Sequence, residues 1–147
     1  MADAGTGDVA VSKTVYDPCP PGYCIPRRNA YTGFTTTGIN CSSYVSYSDY
    51  NVADMTCDGI ISREDFTIFE GWYFYTNPSK TATFFFPAAG GRSYQGEVSV
   101  GNGGKYWTAG RQNTSRAISL YFTRNSLSPL GTTIPSTDAN SVRAVEE

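Results

Sequence analysis

The sequence predicts an α+β domain built mostly from strands, with room for one or two short helices, and three observations carry that expectation. Two aromatic, β-favouring runs, Trp72 to Tyr75 and Ala82 to Phe86, flank Asn77-Pro78-Ser79-Lys80, a composition suited to a hairpin turn. Ile118, Leu120 and Phe122 alternate with Ser119, Tyr121 and Thr123, the period of a strand covered on one face. Pro and Gly punctuate the chain so often that little length remains for helix. At 147 residues the chain is the size of one domain able to bury its own core.

Residues 1–13 read as a flexible lead-in, without the charged start and apolar middle of a signal peptide. Pro18, Pro20, Pro21, Gly22 and Pro26 then forbid regular helix or central strand, so an irregular, rigid entry is expected. Arg27 to Phe34 can make one short helix with Tyr31 and Phe34 on one side. The small, polar stretch to Val52 is loop-like, and the aromatic hairpin after it is expected to be the core. Further strands are expected at Glu97 to Val100, Tyr106 to Ala109, Ala117 to Thr123 and Ser141 to Val145, with "LGTTIPSTDAN" as a loop. Gly101-Asn102-Gly103-Gly104 lacks the Lys-Ser/Thr ending of a phosphate loop and reads as a turn. There is no internal repeat.

Composition excludes several functions. Charged residues are 16% of the chain and the formal net charge is −2, so nothing favours nucleic acid or anionic lipid in general. No run approaches a membrane span. Histidine is absent, which removes the commonest general base, the commonest zinc ligand and every imidazole triad. The carboxylates form no defensible pair, so no catalytic residue is assigned and an enzyme is not expected. Cys19, Cys24, Cys41 and Cys57 match no zinc spacing; two disulfides fit an exported protein and reduced thiols fit a cytosol-assembled particle, with at least one bridge favoured. Eleven Tyr beside many Gly, Ser, Thr and Asn suit both a turn-rich β protein and evolved binding loops.

"DMTCDGIISRED" raises a metal question. Asp54, Thr56, Asp58, Ser62 and Asp65 fall at ligand positions of a calcium loop, with Gly59 at its turn, so Ca2+ is a possible though not required ligand. Thr at the third position and Asp at the twelfth weaken that set. An Asp-Gly turn followed by a Ser-capped helix at Arg63 to Phe69 uses the same residues without a metal.

Six ordered stretches, "VYDPCPPGYCIP", "NAYTGFTTTG", "GWYFYTNPSKTATFFFPAAGGR", "YWTAG", "AISLYFTRNSLSPL" and "SVRAVEE", resemble the C-terminal domain of Bacteroidetes surface and fimbrillin-like proteins, the group that includes the Fibrobacter major paralogous domain. The same order resembles the variable proteins of diversity-generating retroelements, including phage receptor-binding proteins. The resemblance covers residues 14–147 and implies a C-type lectin-like fold with small, twisted antiparallel sheets, one or two short helices and long loops. It also implies an insertion near residues 40–70, and a setting that is extracellular, on a cell surface or on a phage virion. The implied partner is a protein or glycan on a cell surface, with this domain part of a larger protein or assembly; a fimbrial or surface-assembly subunit is the alternative. Where the group often has Cys in its closing motif and Arg after the "PPG-aromatic" step, this chain has Ala144 and Cys24, so the group's bridge to the C-terminus cannot form. Formylglycine-generating enzymes share a related fold, but no cysteine follows Cys57 to serve as their late pair. The Glu-Pro-Asn and Trp-Asn-Asp sugar motifs of animal lectins are missing as well.

In the retroelement group the diversified positions lie near the C-terminus, which here spans about residues 103–140. The candidate surface is an outward row of Ser119, Tyr121 and Thr123, flanked by Arg111, Gln112, Asn113, Ser115, Arg116, Arg124 and Asn125, with Thr133, Ser136, Asp138 and Asn140 from the following loop. A solvated polar strand face accounts for the same row without a ligand. Substitutions at Ser119 or Tyr121 are expected to be nearly neutral for stability, and Leu120→Ala costly.

Overall fold

Proline density decides the first element. The computed structural model describes residues 13–15, 17–38, 44–96 and 98–146, without the side chains of residues 132 and 133. In its proline-rich entry the one strand is the two-residue β1 (Tyr23–Cys24). The helix expected at residues 27–34 is reduced to a 3-10 turn at Thr32–Phe34. Thr32 Oγ1 bonds back to the Asn29 carbonyl at 3.2 Å, and Gly33 follows, both of which work against continued helix. Tyr31 and Phe34 nonetheless share a side, their ring centroids 5.2 Å apart.

Residues 44–70 pack across the domain. Val45 N donates to the Leu127 carbonyl at 3.1 Å, and Ala53 N to that of Tyr73 at 2.8 Å. Helix α1 (Arg63–Phe69) starts where Ser62 was expected to cap it: Ser62 Oγ accepts from Glu64 N at 3.1 Å, and the Asp65 carboxylate accepts from Ser62 N at 2.8 Å. The helix ends at Glu70 in the left-handed conformation, φ 51°. The aromatic hairpin follows as β2 (Gly71–Tyr75) and β3 (Thr83–Pro87), with Trp72 opposite Phe86 and Phe74 opposite Phe84.

After the short β4 (Gly91–Arg92), residues 98–100 form no strand; the strand expected there shrinks to one bridge between Val98 and Arg92. Strands β5 (Gly103–Arg111), β6 (Arg116–Thr123) and β7 (Leu127–Pro135) make an antiparallel sheet in that order. The loop expected after Leu130 is largely strand β7. Two-residue strands β8 (Ala139–Asn140) and β9 (Val145–Glu146) pair antiparallel with β4 and β1, and Ser141, expected to open a strand, makes one bridge to Tyr106. The domain is thus α+β, small antiparallel sheets with one α-helix among the described residues.

The aromatic hairpin meets the three-stranded sheet in the main core. Phe86 lies edge-on to Tyr106 at 5.0 Å, Phe74 to Phe122 at 6.1 Å, and Phe66 of α1 reaches both Trp72 and Phe122. Fully burying one such side chain stabilises by about 1.5–3 kcal/mol, and each well-oriented ring pair adds about 0.5–1.5 kcal/mol. Gly104 has no Cβ because the Phe122 ring lies over it. Arg143 lays its guanidinium 3.8 Å from the Phe84 ring centroid and pins the C-terminal segment to the hairpin.

The sheet's other face is also covered. Trp107, Ala117 and Ile134 cluster there with Val142, beside a group formed by Cys19, Ile25 and Ala109. This overturns the outward placement of Ser119. The residue stands opposite Trp107 on one side and Gly131 on the other, with 0% exposure, and its Oγ has no hydrogen-bond partner among the described residues.

Candidate functional site

The sheet divides the candidate surface between two ends. The β5–β6 loop and the end of β7 lie at one, and the β6–β7 loop at the other, separated by the eight residues of β6, roughly 25 Å at about 3.3 Å per residue. Arg111, Gln112, Asn113, Ser115 and Arg116 are all exposed at the first end. Asn113 Oδ1 accepts from Ser115 N at 2.9 Å and from Ser115 Oγ at 3.0 Å, and the amides of Gln112 and Asn113 donate to the Arg116 carbonyl. These bonds hold the tip in a defined shape from within. Ser136 joins it through the Ser115 carbonyl, which accepts from Ser136 N at 3.0 Å and Oγ at 3.2 Å. Asp138 Oδ1 accepts from Tyr94 N at 3.2 Å, so the turn after β7 also holds the loop after β4.

Tyr121, Thr123, Arg124 and Asn125 belong to the second end. Tyr121 is half-buried beside Tyr44, ring centroids 6.0 Å apart, and burial pushes its hydroxyl pKa up. Tyr47 Oη donates to the Arg124 carbonyl and stands 3.1 Å from Asn125 Oδ1, while Thr123 Oγ1 accepts from Asn125 N at 3.1 Å. The Arg124 and Asn125 side chains are exposed. Asn140 belongs to neither end: both its amide atoms are buried against β4 without a hydrogen-bond partner among the described residues. Thr133 lies in β7, its side chain outside the described set. The expected single patch is therefore two exposed patches with a buried middle.

Tyr94, Val98 and Val100, 67%, 65% and 65% exposed, were not picked out from sequence; Tyr94 meets the turn after β7 through Asp138, while residues 98–100 lie against Gly90–Arg92 beside the start of β5. A Tyr in the Ser-Tyr-Gln-Gly setting carried that signal, because a loop tip has no core to bury it.

In the loop at residues 54–65 the carboxylates are occupied by the loop's own donors. Asp54 Oδ1 accepts from Cys57 N at 2.6 Å, and its Oδ2 from Gly59 N at 2.7 Å; the Gly59 N–H holds its carboxyl below the usual range. Asp58 Oδ1 accepts from Ile60 N at 2.8 Å. Asp65 is 1% exposed: Oδ1 accepts from Met55 N, Thr56 N and Thr56 Oγ1, and Oδ2 from Ser62 N. Oδ1 is shared among three donors while Oδ2 takes one. The oxygens of the candidate calcium set, Asp54, Thr56, Asp58, Ser62 and Asp65, are thus engaged with the loop's own N–H and O–H groups, in the Asp-Gly turn and Ser-capped helix that the sequence offers as the metal-free reading. Among the described residues no three His, Cys, Asp or Glu side chains are placed to hold a metal ion.

The bridge favoured from sequence is not found at the described cysteines. Cys19, Cys24 and Cys57 are free thiols, and Cys41 lies outside the described residues. Burial against Ile25 and Ala109 pushes the Cys19 thiol up to about 11. An open cleft of about 560 Å³ between residues 33–38 and the β2–β3 turn is lined by hydroxyls, amides, Tyr75 and Lys80, with no carboxylate or thiol for acid–base or nucleophilic chemistry. Among the described residues no helix is long and apolar enough to cross a membrane. No family model, curated protein or solved structure matches the chain.

Proposed function

We propose that the chain is a non-enzymatic ligand-binding domain of C-type lectin-like fold, a variable protein of the diversity-generating retroelement kind. It sits on a cell surface or phage virion and takes a protein or glycan on another surface. One observation supports this reading most directly: residues 111–116 are exposed without exception, while the strand residues behind them, 106–110 and 117–120, are buried without exception. A tip whose residues carry no packing duty can change side chains without disturbing the sheet that aims it. Small antiparallel sheets with one α-helix among the described residues are compatible with the C-type lectin-like fold.

The test is adhesion of the labelled domain to bacterial and host cells. The triple variant Gln112→Ala, Asn113→Ala, Ser115→Ala is expected to melt within a few degrees of the parent and to lose adhesion, since surface changes of this kind cost little stability. Adhesion untouched by the triple variant sinks the assignment. The exposed Tyr94, Val98 and Val100 favour a second reading, a fimbrial or surface-assembly subunit packed against a neighbour. Concentration-dependent self-association, abolished by Val98→Ser with Val100→Ser, would establish that one.

A further inference from the structure

We propose that the β5–β6 tip docks an anionic polysaccharide, one bearing carboxylate or sulfate groups, and that Arg27 and Arg28 belong to this site. The inference rests on the ligand-binding reading and adds the chemistry of the ligand. Ala109 N donates to the Pro26 carbonyl at 2.8 Å, which lays the Pro26–Arg28 stretch along β5 just before its tip. The aliphatic stem of Arg28 packs on Gly110, where a Cβ would stand 2.9 Å from it. Arg111 ends β5 and Arg116 opens β6, so two remote stretches of sequence bring four guanidinium groups to one end of the sheet. Arg27, Arg111 and Arg116 are exposed and Arg28 is half-buried. Among the described residues two acidic side chains lie toward this end: Asp138, its Oδ1 accepting from Tyr94 N, and Asp17, its side chain buried and its Oδ1 accepting from Cys19 N beside Ile25 and Ala109.

The opposite end carries both signs of charge, with Arg124 beside Tyr47 and Glu70 beside Gly101. The four arginines give the tip a local positive field that steers an anion to it.

Between Arg111 and Arg116 stand Gln112, Asn113, Thr114 and Ser115, all exposed, with none of the apolar anchors on which protein–protein hot spots depend. Planar guanidinium groups take carboxylate or sulfate two bonds at a time, and amides and hydroxyls serve the ring hydroxyls of a sugar. That combination favours an acidic saccharide over an acidic polypeptide.

Calorimetry of the intact chain tests this with heparin and polygalacturonate as the sulfated and carboxylated probes, and dextran and polyglutamate as the neutral and polypeptide comparators. The expected result is binding to at least one anionic polysaccharide and not to dextran, weakening about tenfold or more between about 50 and about 300 mM NaCl. Arg111→Gln with Arg116→Gln is expected to lose about tenfold, and Arg27→Gln alone about threefold, at unchanged melting temperature, while Arg63→Gln on α1 changes nothing. Failure of both polysaccharides to bind at low salt, equal affinity for polyglutamate, or indifference to the tip arginines overturns the proposal. Cell adhesion that needs Gln112, Asn113 and Ser115 but ignores salt and competing polysaccharide sinks the charge assignment alone; adhesion that ignores those residues sinks the reading beneath it.

Discussion

Ser119 shows how one side chain can sit in a polar row and still belong to the core. Its row alternates properly with Ile118, Leu120 and Phe122, so the strand was readable from sequence, but alternation says only that there are two faces. The covering of the second face comes from Trp107 and the distant Val142. The available hint was size: Ala109, Ala117, Ser119 and Gly131 are all small around one tryptophan. A buried hydroxyl without a partner is a cost, so Ser119→Ala is expected to leave stability unchanged or to raise it by up to about 1 kcal/mol. Ser119→Arg is expected to prevent folding, because it drives a charge into that small-residue layer. Leu120→Ala, on the main-core face, is expected to cost about 2–5 kcal/mol. Urea denaturation of the three variants checks the order; a loss above about 2 kcal/mol for Ser119→Ala would mean that the hydroxyl has a partner after all.

At the scale of elements, the hairpin and α1 were legible because each is specified locally. Asn77 Oδ1 accepts from Thr81 N at 3.0 Å across the β2–β3 turn, and Ser62 with Asp65 closes the start of α1. β7 was hidden by Pro129, which ordinarily argues against a strand. It is tolerated because, among the described strands, β7 pairs only with β6, leaving an edge where a missing N–H breaks no ladder bond. The strand expected at residues 97–100 is not extended at its described residues for the converse reason: Val98 and Val100 look like a strand, yet among the described residues the stretch 98–100 pairs only with the two-residue β4, through Arg92 and Gly91. The four hydrogen bonds to Asp65 make α1 depend on one carboxylate. Asp65→Asn replaces an acceptor oxygen with a donor facing an N–H, and is expected to cost roughly 2–3 kcal/mol. Calcium at millimolar levels is expected to leave the melting temperature of the parent unmoved. A cation held by the folded loop at about 100 times its Kd would add about 2.7 kcal/mol, so a rise of several degrees on calcium, reversed by chelator, would show that the loop trades its own hydrogen bonds for a metal.

Across the whole molecule, the exposed tip could be read from its run of polar residues, whereas its division from the Arg124 end and its union with Arg27 and Arg28 could not, because both are set by long-range packing. The same packing decides how the protein answers alkali. Tyr31 and Tyr50 are 4% and 3% exposed, and burial drives both hydroxyls well above the ordinary tyrosine value. Burial also pushes Tyr106 up to about 12 and the Cys19 thiol up to about 11. In the unfolded chain these groups ionise near their ordinary values, about 10 for tyrosine and about 8.5 for cysteine. The sign follows from where the protons sit. Below those values both states are protonated and the folded state keeps its full advantage; as pH rises, the unfolded state releases protons first and is favoured. Stability is therefore expected to hold steady to about pH 8.5, to slip as the thiol titrates, and to fall steeply above about pH 10. Denaturant midpoints measured from neutral to strongly alkaline pH, with the tyrosinate absorbance followed in the same samples, check this. Part of the tyrosinate signal is expected to appear only together with unfolding. Its complete appearance in a still-folded protein would show that Tyr31, Tyr50 and Tyr106 are open to solvent, and the aromatic core built around Phe86 and Phe122 would have to be redrawn.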